Sequence, residues 1–455
     1  MVLKMSDANI LKPQDEAGVL EMVQAALASS TPLEIIGHGS KRGIGRPVEA
    51  GHVLDVSGLS GVTLYEPDEL VLSARAGTPM AEIQKLLADH NQCFHFEPMD
   101  YGPLLGAEPG RGTIGGTLAA NLAGPRRLKA GAARDHVLGV RVVSGRGEVF
   151  KSGGRVVKNV TGYDLSKGMA NSWGTLGVAT EVTFKVLPAP ETVATLAVRG
   201  LDDEQAARVM ALAMGSREEV SSAAHLPPTV AWRFLDGKLG GDAATILRLE
   251  GFAPSVAHRS RQLQDLLGRT GTIDVLDDSQ SRQLWREVRD VLPYAQAGDG
   301  RAVWRVSMAP MQGWRMVDEF RRHAGVDAYY DWQGGLIWMR MEAEPEADVL
   351  RKLIARHGGG HATLIRAPER VRGSVDVFQQ QPAALAALSA RLKQQFDPEN
   401  ILNPGRMYPH QAGSLKPCRP ISALNNCAIP ACLKPKRFCA NVCIAVSAPR
   451  PARPM

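Results

Sequence analysis

Residues 111–125 read R-G-T-I-G-G-T-L-A-A-N-L-A-G-P, and residues 171–181 read N-S-W-G-T-L-G-V-A-T-E. The rest of the chain is arranged around these two blocks. Gly112, Gly115 and Gly116 carry no Cβ, so backbone N–H groups there are able to approach a bulky anion closely. Ala119, Ala120 and Ala123 keep the following short helix thin enough to lie against something large and flat. The second block leads into the apolar alternation Val182, Phe184, Val186 of a strand. Two glycine-rich turns about sixty residues apart fit one extended ligand gripped at two points. They fit the tight turns of a compact α/β core equally well.

A third glycine cluster lies upstream. Pro32 introduces a strand over residues 33–36 that runs into G-H-G-S-K-R-G-I-G-R-P at 37–47. Backbone N–H groups at Gly37 and Gly39, with the Ser40 hydroxyl, are suited to wrap a pyrophosphate, and Lys41 or Arg42 would add charge. It is no Walker loop, because no G-K-[ST] closes it. It is a poor Rossmann fingerprint too, since Gly45, Arg46 and Pro47 stand where a helix would begin.

Four blocks in order carry a resemblance: T-I-G-G-T-L-A-A-N (113–121), R-D-H-V-L-G-V-R-V-V-S-G-R-G-E-V (134–149), V-V-K-N-V-T-G-Y-D-L-S-K-G (156–168) and W-G-T-L-G-V-A-T-E-V-T-F-K-V-L-P (173–188). Together they resemble the FAD-binding domain of the vanillyl-alcohol oxidase / p-cresol methylhydroxylase (PCMH) superfamily, and within it the FAD-binding subunits of bacterial glycolate oxidases. The resemblance spans about residues 15 to 409. It implies an α+β fold: a two-lobed FAD-binding domain over 14–190, then a smaller α+β cap domain over 191–409 whose end returns to the FAD domain. For the cofactor it implies contacts from Gly37, His38, Gly39, Ser40 and Lys41, and from Gly112, Thr113, Ile114, Gly115 and Gly116. Asp135, Gly174, Thr175, Gly177, Val178 and Asn403 complete the set, with Arg406 beside them. Some relatives attach FAD through a histidine in the first loop; that position falls nearer Ser40 than His38 here, so the FAD is expected to be non-covalent. Lys158, Asn159, Tyr163 and Asp164 form a polar run placed near the flavin by the same resemblance. Gly115→Asp is expected to lose FAD, by pushing a carboxylate toward it.

Composition bounds these readings. Of 455 residues, 44% are hydrophobic and 22% charged, which describes a globular chain with ample core and two domains. No apolar run is long enough to span a bilayer, and Met1 to Leu11 lacks the apolar region of a secretory signal, so a cytoplasmic protein is expected. The formal charge of +6 comes from the end of the chain: residues 411–455 hold seven basic side chains and no acidic one. The near-neutral body implies no nucleic-acid partner. Cys93 is alone in the body, whereas Cys418, Cys427, Cys432, Cys439 and Cys443 crowd the tail. Their spacings match neither a zinc ribbon nor a ferredoxin cluster, so no metal is expected. Residues 410–455 read as a disordered, basic, Cys/Pro-rich tail.

Periodicity predicts helices over 14–28 (Val19, Met22, Val23, Ala26 and Leu27 on one face), after a Thr78 cap with Pro79 first in the helix, and over 203–214, 255–267, 314–323 and 349–357. A further helix carries Leu284, Trp285 and Val288. Strands are predicted over 53–56, 70–74, 137–143, 193–198, 244–249, 272–276 and 303–308, with a hairpin over 329–341 turning at Gly334-Gly335. His95 and Tyr101, in F-H-F-E-P-M-D-Y-G-P (94–103), read as packing residues. A helix carrying Leu385, Leu388 and Leu392 precedes Asp397-Pro398 and N-P-G-R (403–406).

Two functional classes compete. In the first, the resemblance implies an FAD-dependent dehydrogenase that oxidises glycolate, or a similar small 2-hydroxy acid, to glyoxylate or its 2-oxo analogue. A base takes the hydroxyl proton and a cation holds the carboxylate; His361, in G-G-H-A-T, and Arg366 are the candidates. In the second, the chain binds FAD as an electron-transfer or assembly subunit. Either way the resemblance implies a complex with a related larger flavin subunit and an iron–sulfur subunit, possible at the inner face of a membrane. The H-x-G-D-G-N-x-H-like metal cluster of the larger subunit type has no counterpart here beyond His361. A nicotinamide enzyme is disfavoured by the missing G-x-G-x-x-G.

Overall fold

The computed structural model describes residues 10–156, 162–295 and 300–409. A parallel three-stranded sheet sets Ile10–Leu11, His52–Asp55 and Leu33–Ile36 side by side. Helix Glu16–Ser29 buries Val19, Val23 and Ala26 against it, and the Asp15 carboxylate caps the helix by accepting from the Gly18 amide. An antiparallel five-stranded sheet follows, in the order Val62–Glu66, Val71–Arg75, Gly177–Lys185, Val137–Ser144, Val149–Gly153. Its alternating Val140, Val142, Val182 and Phe184 close a core with Ile83 and Leu87 of helix Met80–Asp89 and with Ile114 and Leu118 of helix Ile114–Ala119. Pro79, not Thr78, is the cap of Met80–Asp89. The Thr78 hydroxyl instead donates to the carbonyls of Arg75 and Gly61, closing the turn before the helix.

The largest sheet has eight antiparallel strands, running Ile273–Leu276, Thr192–Arg199, Ala244–Gly251, Ser222–Leu226, Val326–Asp331, Leu336–Met341, Val303–Met308 and Gly360–Arg366. Two of these were not predicted. Ser222–Leu226 is buried at every position and so shows no alternation. In Gly360–Arg366 the leading glycines hide a strand that pairs His361 with Ser307. Helices Asp203–Met214 and Ala253–Leu267 pack apolar side chains on one face. By register, the opposite face presents Glu250, Arg248, Asp331, Arg305, Ser307 and His361, because directly paired residues point the same way. That face meets the segment after the five-stranded sheet's first helix: Arg248 bonds Glu97 at 2.7 and 2.8 Å, and Arg126 bonds Glu250 at 2.5 and 2.9 Å.

Of the six tryptophans in this region, Trp285, Trp304, Trp332 and Trp338 are buried, and Trp232 is exposed. Helix Ala383–Phe396 then brings the chain back. Phe396 enters the core of the five-stranded sheet, whereas Leu385, Leu388 and Leu392 stay exposed. Leu402 pairs with Leu33 beside the parallel sheet. Lys158, Asn159 and the five cysteines of the tail lie outside the described residues. No helix among the described residues is long and apolar enough to cross a membrane.

The return depends on Asp397. Its carboxylate is fully buried, accepts from the amides of Ile401 and Leu402, and receives the Lys393 ammonium at 2.5 Å. Removing it leaves an unpaired, largely buried cation and two unsatisfied amides. Asp397→Ala should therefore destabilise the protein by about 3 kcal/mol, read as a lower urea midpoint; a midpoint within error of the parent would contradict this anchoring.

Candidate functional site

The strand Leu33–Ile36 delivers the first glycine loop to a cleft. The same cleft is lined by Thr113, Gly115, Gly116 and Leu118 to Ala120, by Met169 and Ser172 to Gly174, by Gly177 to Ala179, and by Arg406. It holds about 850 Å³ of atom-free space, part of it open to solvent. The three glycine blocks thus converge, as an extended ligand requires.

The blocks do different jobs, however. In the first, Gly39 takes a positive φ of 76° and has open space where a Cβ would stand. Among the described residues no protein group accepts from the amides of His38, Gly39, Ser40 or Lys41. Four successive amides beside a buried Ser40 hydroxyl make a pocket for an anion. In the second block the amides are already used: Ile114 donates to Thr78, Gly115 to Ala76 and Gly116 to the Thr113 hydroxyl. Gly115 is required by packing, since its Cβ would lie 2.8 Å from the Ala76 Cβ. The expected loss of FAD in Gly115→Asp therefore has a steric ground before any electrostatic one. In the third block, Gly174 sits at φ 72°, and a Cβ there would meet the Asn403 amide nitrogen at 2.7 Å.

Asn403 does not line the cleft; it holds the cleft's parts together. Its Oδ1 accepts from the Ile35 amide and its Nδ2 donates to the Trp173 carbonyl, each at 2.8 Å. Gly112, Ile114, Thr175 and Asp135 also stand outside the lining. The Gly112 carbonyl accepts from the Met80 amide, Ile114 is fully buried in the core, and the Thr175 hydroxyl donates to the Ser172 carbonyl. Asp135 accepts from the Ala132 amide and pairs with Arg127, so the Arg-Asp pair shapes its loop.

Charge in the cleft is one-sided. Among the described residues no carboxylate lines it; Lys41, Arg42 and Arg406 do. Arg42 is paired with Glu34 at 2.5 and 2.8 Å. Lys41 reaches only the Ser40 hydroxyl, at 3.3 Å, and packing lowers its pKa to about 8. Arg406 donates to the Lys41 carbonyl at 2.9 Å, stands 5.7 Å from the Trp173 ring, and is lowered by burial to about 10. Its Nε is buried without a partner, as is Nε2 of His38. Burial, then the charge of Arg111, depress the His38 pKa. Free amides, two uncompensated cations and orphaned nitrogens fit a dinucleotide pyrophosphate. Trp173 supplies the aromatic lining that the cap-region tryptophans do not.

The proposed carboxylate partner, Arg366, is otherwise engaged. Its buried guanidinium donates to the carbonyls of Tyr294, Arg301 and Leu104. His361 is exposed at the sheet edge, on the face that carries Arg305. Arg305 was missed by the sequence reading. It is half-buried, stands 4.9 Å over the Trp332 ring, and forms no ion pair among the described residues. The nearby Asp331 offsets its charge only in part near neutrality, because burial raises that carboxyl to about 7. Trp332 in turn donates to the Gly124 carbonyl, four residues beyond cleft-lining Ala120. The signal lay in V-W-R-V-S-M (303–308), an arginine at an alternating position in an apolar strand.

Residues 8–153 match the family model described as FAD binding domain, and 377–407 that of FAD linked oxidases, C-terminal domain. The fold is similar to that of p-cresol methylhydroxylase with substrate bound (TM-score 0.67, 16% identity, 88% of each chain). The sequence is 35% identical to glycolate oxidase subunit GlcE of Escherichia coli (strain K12), over 86% of this chain and 96% of that protein. It is 33% identical to glycolate oxidase subunit GlcD of Bacillus subtilis (strain 168), over 36% of this chain and 32% of that one. The chain is an FAD-linked oxidoreductase whose fold is similar to that of p-cresol methylhydroxylase. Within that class, the chain belongs to the family of the glycolate oxidase subunit GlcE.

Because Gly115 is held by shape, a neutral methyl suffices to disturb it. Gly115→Ala should cost about 1–3 kcal/mol and lower the FAD content of purified protein. Parental stability and flavin content in that variant would show that the helix does not rest on Ala76.

Proposed function

We propose that this chain is the FAD-binding subunit of a glycolate-oxidising complex, with FAD held non-covalently in the cleft and its pyrophosphate on residues 38–41. The observation that carries the reading is the row of amides beside Lys41 and Arg406 that, among the described residues, are free and share a cleft no carboxylate lines. The histidine through which some relatives attach FAD falls nearer Ser40 than His38 in this sequence, which supports a dissociable cofactor. When bound, FAD supplies the acceptor for two electrons from a hydroxyl-bearing carbon.

The chain's own residues do the rest. Arg305, which forms no ion pair among the described residues, binds the substrate carboxylate with its planar fork. Trp332, stacked beneath it, limits the directions from which a small acid approaches. His361, on the same sheet face, accepts the hydroxyl proton. The complex passes electrons onward through a related flavin subunit and an iron–sulfur subunit, at the cytoplasmic side of a membrane. The second class of reading, a carrier of electrons without substrate chemistry, predicts an inert Arg305.

Adding glycolate without air to the FAD-loaded chain should bleach the oxidised-flavin absorbance. Arg305→Met should raise KM about 10- to 100-fold, the value of a lost charge-assisted bond, with flavin content unchanged. Failure of glycolate to bleach the flavin would assign the chain to electron carriage. Acid precipitation should leave the yellow colour in the supernatant; colour in the pellet would mean a covalent bond.

A further inference from the structure

Resting on the reading that this cleft holds FAD, we infer that Lys41 and Arg406 form a two-charge seat for its pyrophosphate, and that binding draws a proton from solvent onto Lys41. A pyrophosphate diester carries two negative charges, and the described lining of the cleft offers Lys41 and Arg406 with no acid among it, Asp100 and Glu34 acting on them from outside that lining. Arg406 is held by its bond to the Lys41 carbonyl, so the two cations are fixed as neighbours by the backbone that carries one of them.

The surroundings decide which of the two titrates. On the loop itself, Lys41 faces the Ser40 hydroxyl, and Arg42 is satisfied by Glu34. From the segment before the second glycine block, Asp100 attracts it, but that carboxylate is committed to the amides of Gly102 and Gly110. From the C-terminal return, Arg406 repels it. Arg372, which donates to the Gly45 carbonyl, adds positive charge behind Arg406. His38 lies in the same loop beside Arg111 and contributes no negative charge. Burial and Arg406 thus bring the empty-cleft Lys41 to about 8, whereas Arg406 stays protonated throughout the accessible range.

The sign follows. A dianion beside Lys41 favours its charged form and raises its pKa toward the ordinary value or above. Below pH 8 the ammonium is already present and binding takes up little. Above pH 8 each binding event recruits the missing proton, so affinity falls as pH rises until the pKa of the bound state is reached.

The test uses the full chain, stripped of flavin and titrated with FAD by calorimetry in buffers of different ionisation enthalpy. Proton uptake should be about 0.9 per FAD at pH 9 and about 0.1 at pH 7, with Kd about tenfold higher at pH 9. K41R, which keeps the charge but does not titrate, should bind with a Kd that is flat between these pH values and with no uptake at pH 9. K41M should bind weakly at both. Absence of uptake by the parent at pH 9, with FAD still bound, would overturn the proton linkage and leave the cleft assignment standing. Parental uptake in K41R would overturn it too, by placing the titrating group elsewhere. Parental affinity and uptake in K41M would overturn both the linkage and the placement of pyrophosphate on this loop.

Discussion

The cleft depends on one side-chain amide. Asn403 arrives from the far end of the sequence, buried, and ties the strand leading to the first glycine loop to the turn that opens the third. An amide is suited to this because one short group both accepts and donates, so an N–H and a C=O from separate segments are satisfied at once. The arrangement constrains its neighbours. Gly174 has no room for a Cβ, Asn403 itself sits at φ 44°, and the Asn403 amide pairs with the Leu33 carbonyl. Asparagine tolerates that backbone better than most residues with a side chain. The C-terminal segment therefore closes the FAD-binding part of the protein, although more than two hundred residues of another sheet intervene.

This explains which parts of the protein were legible in the sequence. Strand and helix positions followed from apolar periodicity wherever one face was buried and the other wet, as in Val303–Met308 and Asp203–Met214. Periodicity failed where both faces are buried, as in Ser222–Leu226, because nothing alternates. Convergence of the three glycine blocks was legible from block order and a family resemblance. Their division of labour was not. A glycine that leaves its amide free, like Gly39, and one that lets two elements touch, like Gly115, are the same letter. Only the partner of each N–H tells them apart.

Charged residues were harder still. Arg366 and Arg305 both occupy strand positions, three-dimensionally near the same seam, and nothing local distinguishes them. Long-range partners do: three carbonyls accept from the first, while the second faces an aromatic ring and a carboxyl that burial raises to about 7. Asp135 presents the opposite case, since its carboxylate is spent on its own loop. A short acidic side chain following an arginine bonds its own loop so readily that the local role absorbs it.

The seam between the eight-stranded sheet and the FAD-binding segment shows why the cleft can remain uncompensated. There, Glu97, Arg126, Arg248 and Glu250 form a closed, hydrogen-bonded set with two charges of each sign. The opposing arginines hold Glu97 and Glu250 below the usual carboxylate range despite burial. Such a set fixes how the two parts meet without leaving net charge behind, which makes it a registry device more than a source of stability. Lys41 and Arg406 are the contrary case. They are like-charged and desolvated, and neither forms an ion pair among the described residues, which destabilises the empty protein. A fold tolerates that arrangement only where something else supplies the missing charge. In this chain the vacancy in the charge balance coincides with the row of free amides.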